Sequence, residues 1–166
     1  MISRFFLALG CAYLSAGVLV GCGNNIQTDL RGHTAFSLSE AGDISVLVQP
    51  CGLPIDQVYV VGPLEDRGDY SENPVYLSLT SQQGHPDLFS VDLEHVEEDW
   101  QIESQYEIPD DPNHLLIAGT RVQGEDAEAS QVSATIGDIQ QLQPGMVIIT
   151  SDSKVVPMDE FKQCSR

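Results

Sequence analysis

The chain has 166 residues, 42% of them hydrophobic, and carries 25 Asp+Glu against 7 Lys+Arg, for a formal net charge of −18. So negative a surface repels nucleic-acid phosphates, whose capture needs basic side chains and counterion release, and this excludes DNA or RNA as partners. The hydrophobic share excludes a disordered acidic tail, and the length suits one domain with its own core.

Near the N-terminus, Arg4 precedes an uncharged apolar run over residues 5–20, which ends in Leu19-Val20-Gly21-Cys22 and is followed by polar Asn24-Asn25. The run is short for a spanning helix and is interrupted by Gly10, Ser15 and Gly17, so it reads as a signal peptide rather than an anchor. Two apolar positions, a small residue and a cysteine resemble the lipobox of bacterial lipoproteins. The resemblance implies that residues 1–21 are a lipoprotein signal peptide and that Cys22 receives a diacylglyceryl group with palmitate-type chains. One acyl chain binds membranes only marginally, whereas two anchor stably. The implied location is the cell membrane or the outer membrane, with the domain facing outside the cytoplasm. Gly23 is not the Asp associated with inner-membrane retention, which favours the outer membrane where one exists. Residues 23–34 are polar and lack any apolar period, so 22–34 are expected to form a lipidated flexible tether and 35–166 a single β-domain.

Beyond the tether the hydrophobic period is two. Ile44, Val46 and Val48 alternate with Ser45 and Leu47; Val75, Leu77 and Leu79 with Tyr76, Ser78 and Thr80; Phe89, Val91 and Leu93 with Ser90, Asp92 and Glu94. Ile102, Tyr106 and Ile108 are expected to face a core, with Gln101, Glu103, Gln105 and Glu107 facing water. Val132, Ala134 and Ile136 form another such face. Alternation of this kind buries one side of a strand and wets the other. The apolar runs 58–61, 115–118 and 146–149 read as strands covered on both faces. Pro- and Gly-containing turns separate the runs. The spacing predicts about eight or nine short strands in an all-β, antiparallel sandwich or barrel. Helical signals are confined to residues 137–143 and 158–163. Trp100 lies between Cys51 and Cys164, but far from Cys51, and Lys162 stands where an immunoglobulin domain has its Tyr. The domain is therefore Ig-like in architecture only.

Catalytic signatures are absent: the chain has no G-x-S-x-G, no H-E-x-x-H, no phosphate-binding glycine loop and no C-x-x-C. The densest acidic stretch, Glu94-His95-Val96-Glu97-Glu98-Asp99-Trp100, offers oxygen and imidazole ligands of the kind divalent cations use. It reads more simply as a solvated loop, and Asp110-Asp111 between prolines reads as a turn. His33, His85, His95 and His114 are scattered, with no two at metal-ligand spacing. Arg67-Gly68-Asp69 lies in a loop-like acidic stretch over 65–73 and resembles the integrin-binding tripeptide of matrix proteins. Ordinary residue frequencies produce that tripeptide by chance, but the loop itself is a natural place for a contact.

These observations lead to a non-enzymatic, lipid-anchored envelope protein acting as a binding or structural module, with no cofactor, no metal and no catalytic residue assigned. Its partners are the membrane, through the lipid on Cys22, and an envelope protein or glycan. The alternatives are a small secreted hydrolase using an acidic residue pair and a divalent-cation-binding module. Of the four cysteines, Cys11 leaves with the signal peptide and Cys22 takes the lipid. Cys51 and Cys164 remain, an even pair in an oxidising compartment, and are expected to form a disulfide.

Overall fold

The computed structural model describes residues 28–39, 41–66 and 71–164. Its strands are β1 (Asp29–Leu38), β2 (Ile44–Gln49), β3 (Ile55–Val61), β4 (Glu65–Asp66), β5 (Ser71–Glu72), β6 (Val75–His85), β7 (Phe89–Asp92), β8 (Gln101–Gln105), β9 (Leu115–Arg121), β10 (Ala127–Ser130), β11 (Val132–Thr135), β12 (Met146–Ile149) and β13 (Lys154–Pro157). Two short helices, α1 (Ile136–Gln140) and α2 (Met158–Phe161), complete it. No helix among the described residues is long and apolar enough to cross a membrane.

The strands form two main sheets, as the period-two pattern requires. One runs β13-β12-β1-β2-β7, with β10 added parallel to the start of β1; the other runs β11-β9-β3-β6-β8. The remaining ladders between neighbours are antiparallel, and the fold is an all-β sandwich. Its core lies between the sheets. Phe36, Val46, Val48 and Ile148 from the first sheet meet Val58, Val60, Leu77, Leu79 and Leu116 from the second. A second apolar cluster occupies the outer face of the first sheet, where Phe161 of α2 covers Ala35, Leu47, Val147 and Val156. Leu47 is therefore buried although its neighbours Val46 and Val48 point the other way. The Cys51–Cys164 disulfide, with Cα atoms 5.6 Å apart, ties the C-terminal segment to the turn after β2.

Sequence expectations about the tether, the strand count and the facing of β8 need correction. The tether does not extend to residue 34, because 29–34 belong to β1. There the backbone pairs in parallel with β10 while side chains such as Leu30 stay exposed, so ladder bonds hold a segment that has no apolar pattern. Residues 22–27 and the expected signal peptide over 1–21, with Cys11 and Cys22, lie outside the described residues. The strands number thirteen among the described residues rather than eight or nine, since β4 and β5 have two residues each and β10 alternates only the small Ala127 and Ala129 with Glu128 and Ser130. Finally, Ile102 and Tyr106 are not buried: they are 47% and 66% exposed. A register shift opposite Ser78 and Leu79 brings Gln105, not Tyr106, opposite buried Leu77. Gln105 then sends its side-chain amide to the Leu93 carbonyl. Bulges of this kind reset the facing of every residue that follows. Ile108 is half-buried against the core.

Candidate functional site

The two outer faces of the sandwich differ. α2 covers the apolar cluster on that of the first sheet, whereas that of the second holds a groove of about 800 Å³. Its floor is built row by row from cross-strand partners. Arg121 of β9, Gln57 of β3 and Thr80 of β6 are paired in register, and Glu103 of β8 closes the row by accepting a 2.9 Å hydrogen bond from the Thr80 hydroxyl. In the next row Gly119, Tyr59 and Ser78 are partners, and in the third Ile117, Val61 and Val75. The face thus grades from charged and amide side chains to apolar ones within three rows. It exists because alternate residues of β3, β6 and β9 point away from the core.

Tyr59 is held from three sides. Its ring lies over Gly119, where a Cβ would collide with the ring and hydroxyl. The Arg121 guanidinium sits 5.4 Å from the ring centroid, within cation–π range. Gln131 Nε2 donates to the Tyr59 hydroxyl at 2.5 Å. Arg121 makes no ion pair among the described residues, unlike Arg31 with Asp29 and Lys162 with Asp159. Tyr76, also on β6, is buried and shares a 2.8 Å hydrogen bond with His114 Nε2. Burial first, and the Glu65 carboxylate second, push its phenol above the ordinary tyrosine value. Tyr76 therefore stays protonated near neutrality, as a structural group rather than a base.

The residues singled out from the sequence fall elsewhere. The Glu94–Trp100 segment links β7 to β8; its acids are exposed, while Trp100 is buried. His95 does meet carboxylates: potential ligand atoms of Asp43, Asp92 and His95 lie within 4.8 Å of one another. Asp92 Oδ1, however, accepts from the backbone N–H groups of Glu94 and His95 at 2.8 and 2.9 Å. Asp43 likewise closes the β1–β2 hairpin with Ser39. These bonds account for both carboxylates as turn formers. Asp111 acts similarly, accepting from Asn113 N–H at 2.9 Å. Arg67, Gly68 and Asp69 lie outside the described residues.

Sequence reading found no partner for any histidine, but folding provides some. His85 Nε2 lies 3.2 Å from Ser81 Oγ and 3.8 Å from Asp99 Oδ2, and the ring stacks on Trp100 at 4.6 Å. Both neighbours face one nitrogen, whereas a catalytic triad sets nucleophile and acid on opposite ring nitrogens. The grouping fixes the ring against the aromatic pair Trp100 and Phe89. As for an acidic pair, no Asp or Glu among the described residues is buried, and the groove is lined by a single acid, Glu103.

The groove residues were missed by sequence reading. The run over 58–61 was expected to be covered on both faces, yet Tyr59 and Val61 line the groove. The available signal was the polar half of each alternation: Gln57 in β3, Ser78 and Thr80 in β6. Compared with known proteins, the chain matches no protein-family model, no curated protein and no solved structure.

Proposed function

We propose that this chain is a lipid-anchored extracytoplasmic binding module that holds another envelope component on the open face of its five-stranded sheet. The observation that carries the reading is the inequality of the two outer faces. One is closed by Phe161; the other is left as a groove lined by hydrogen-bonding side chains and by Val61, Val75 and Ile117. Concave surfaces with a few convergent polar groups are where proteins take ligands. Amides and hydroxyls dominate this one, which favours binding over proton-transfer chemistry. The order Leu19-Val20-Gly21-Cys22 supports the anchor. The Cys51–Cys164 bond supports an oxidising compartment, where disulfides persist.

Each half of the reading has its own test. Cys22→Ser should abolish metabolic lipid labelling and release the protein from the membrane fraction; unchanged labelling would remove the anchor. A photo-cross-linking side chain in place of Ser78, in mid-groove, should give an adduct on intact cells. The same group in place of Asp159, on α2, should not. Equal labelling from both positions, or none from Ser78, would remove the binding face.

A further inference from the structure

We infer that the occupant of this groove is a neutral glycan, an inference that rests on the binding-face reading above. The first argument is what the face cannot do. β3 is paired on both sides, with β6 and β9, and β6 is paired with β3 and β8. Backbone groups beneath the groove are therefore spent within the sheet, and no extended peptide can add to it as a strand. Recognition must run through side chains.

Those side chains suit hydroxyls. Gln57 and Gln123 each offer an amide that both donates and accepts, and Ser78 adds a hydroxyl with the same double capacity. None of the three side chains is hydrogen-bonded to another described residue. A sugar hydroxyl needs such a partner, since it too donates and accepts. Spacing agrees: strands lie about 4.8 Å apart, so the row from Arg121 to Glu103 spans three intervals, about 14 Å. It presents one polar side chain per strand, close to one per sugar ring. The apolar row of Ile117, Val61 and half-exposed Val75 offers contact to the C–H faces of the rings.

Charge decides between glycan types. The chain carries −18 overall, a field that repels polyanions from any face. A polycation would find one carboxylate in the groove, Glu103, already engaged by Thr80. The two charges of the lining, Arg121 and Glu103, cancel and stand at opposite ends. A neutral chain of hydroxyls meets neither penalty.

The test is calorimetric titration of the detergent-solubilised full-length protein with cellotetraose, chitotetraose, maltotetraose and mannotetraose, and with tetragalacturonate as the acidic counterpart. At least one neutral tetrasaccharide should bind saturably, with an affinity changing less than about twofold between low and high salt, because no charge is screened. Gln57→Ala and, separately, Ser78→Ala should each weaken it about tenfold, the effect of losing roughly one hydrogen bond. Gln82→Ala, outside the groove, should leave it unchanged, and circular dichroism should show all three variants folded. Failure of every neutral tetrasaccharide to bind, or salt-dependent preference for tetragalacturonate, would overturn the glycan inference. If the cross-linker at Ser78 still labels an envelope protein, the binding face survives that failure. If neither experiment shows a partner, both readings fall.

Discussion

Leu79 and Ile102 face each other across β6 and β8, yet one is 1% exposed and the other 47%. The difference is position: β6 runs inside its sheet, while β8 is one of its two edge strands. Cavity formation should therefore make Leu79→Ala cost about 2–5 kcal/mol. Ile102→Ala, which removes atoms already in water, should cost less than about 1 kcal/mol. Urea denaturation of the two variants measures both values. Equal losses would mean that β8 is covered and the bulge at Glu103 misplaced. Hydrophobicity alone could not separate these residues, because both are large aliphatics in alternating strands.

At the scale of elements, the groove depends on β9 having no side chain beside Tyr59. Tyr59 and Gly119 are cross-strand partners, and the ring occupies the space a Cβ at 119 would need. Gly119→Ala should push the ring off β9 and break its 2.5 Å bond with Gln131. The expected cost is about 1–3 kcal/mol of overpacking, together with a changed near-ultraviolet tyrosine signal. An unchanged signal and unchanged stability would show that the ring does not rest there. A different glycine requirement holds β1 in place. Gly32 has φ +83°, and a Cβ there would run into the Gln49 carbonyl. It sits where the pairing with β10 shifts register. A left-handed residue in close approach is the position that favours glycine, and it is how a polar segment enters the sandwich.

For the whole molecule, the Cys51–Cys164 bond ties the C-terminal segment beside the first sheet. It closes a loop of 113 residues, and Gln49 Nε2 donates to the Lys162 carbonyl at 2.7 Å beside it. Together they hold α2 against the first sheet, with Phe161 3% exposed. By the loop-entropy argument, the Cys51→Ala/Cys164→Ala double variant should lose about 4–5 kcal/mol. Amide exchange should accelerate first over residues 158–164, since the freed α2 has only four residues to keep it docked. An unchanged urea midpoint, or acceleration spread evenly over both sheets, would contradict this.

Much of the fold was legible in the sequence. Alternation along β2, β6 and β11 pointed to an all-β sandwich or barrel, because burial on one strand face is written locally at period two. Counting cysteines paired Cys51 with Cys164, because reading Cys11 into a signal peptide and Cys22 into a lipobox left two candidates; the bond itself is present. Periodicity also shows that a strand has two faces, but not what covers each. That Leu47 is sealed by Phe161, more than a hundred residues away, while Tyr59 faces a groove, was settled by long-range packing. The facing of Tyr106 was settled by one bulge, and the place of residues 29–34 by backbone pairing that needs no apolar side chain. The groove itself collects Gln57, Ser78, Glu103 and Arg121 from four strands. Their polarity marks only the wet side of each strand, which looks the same whether or not its neighbours across the sheet form a site.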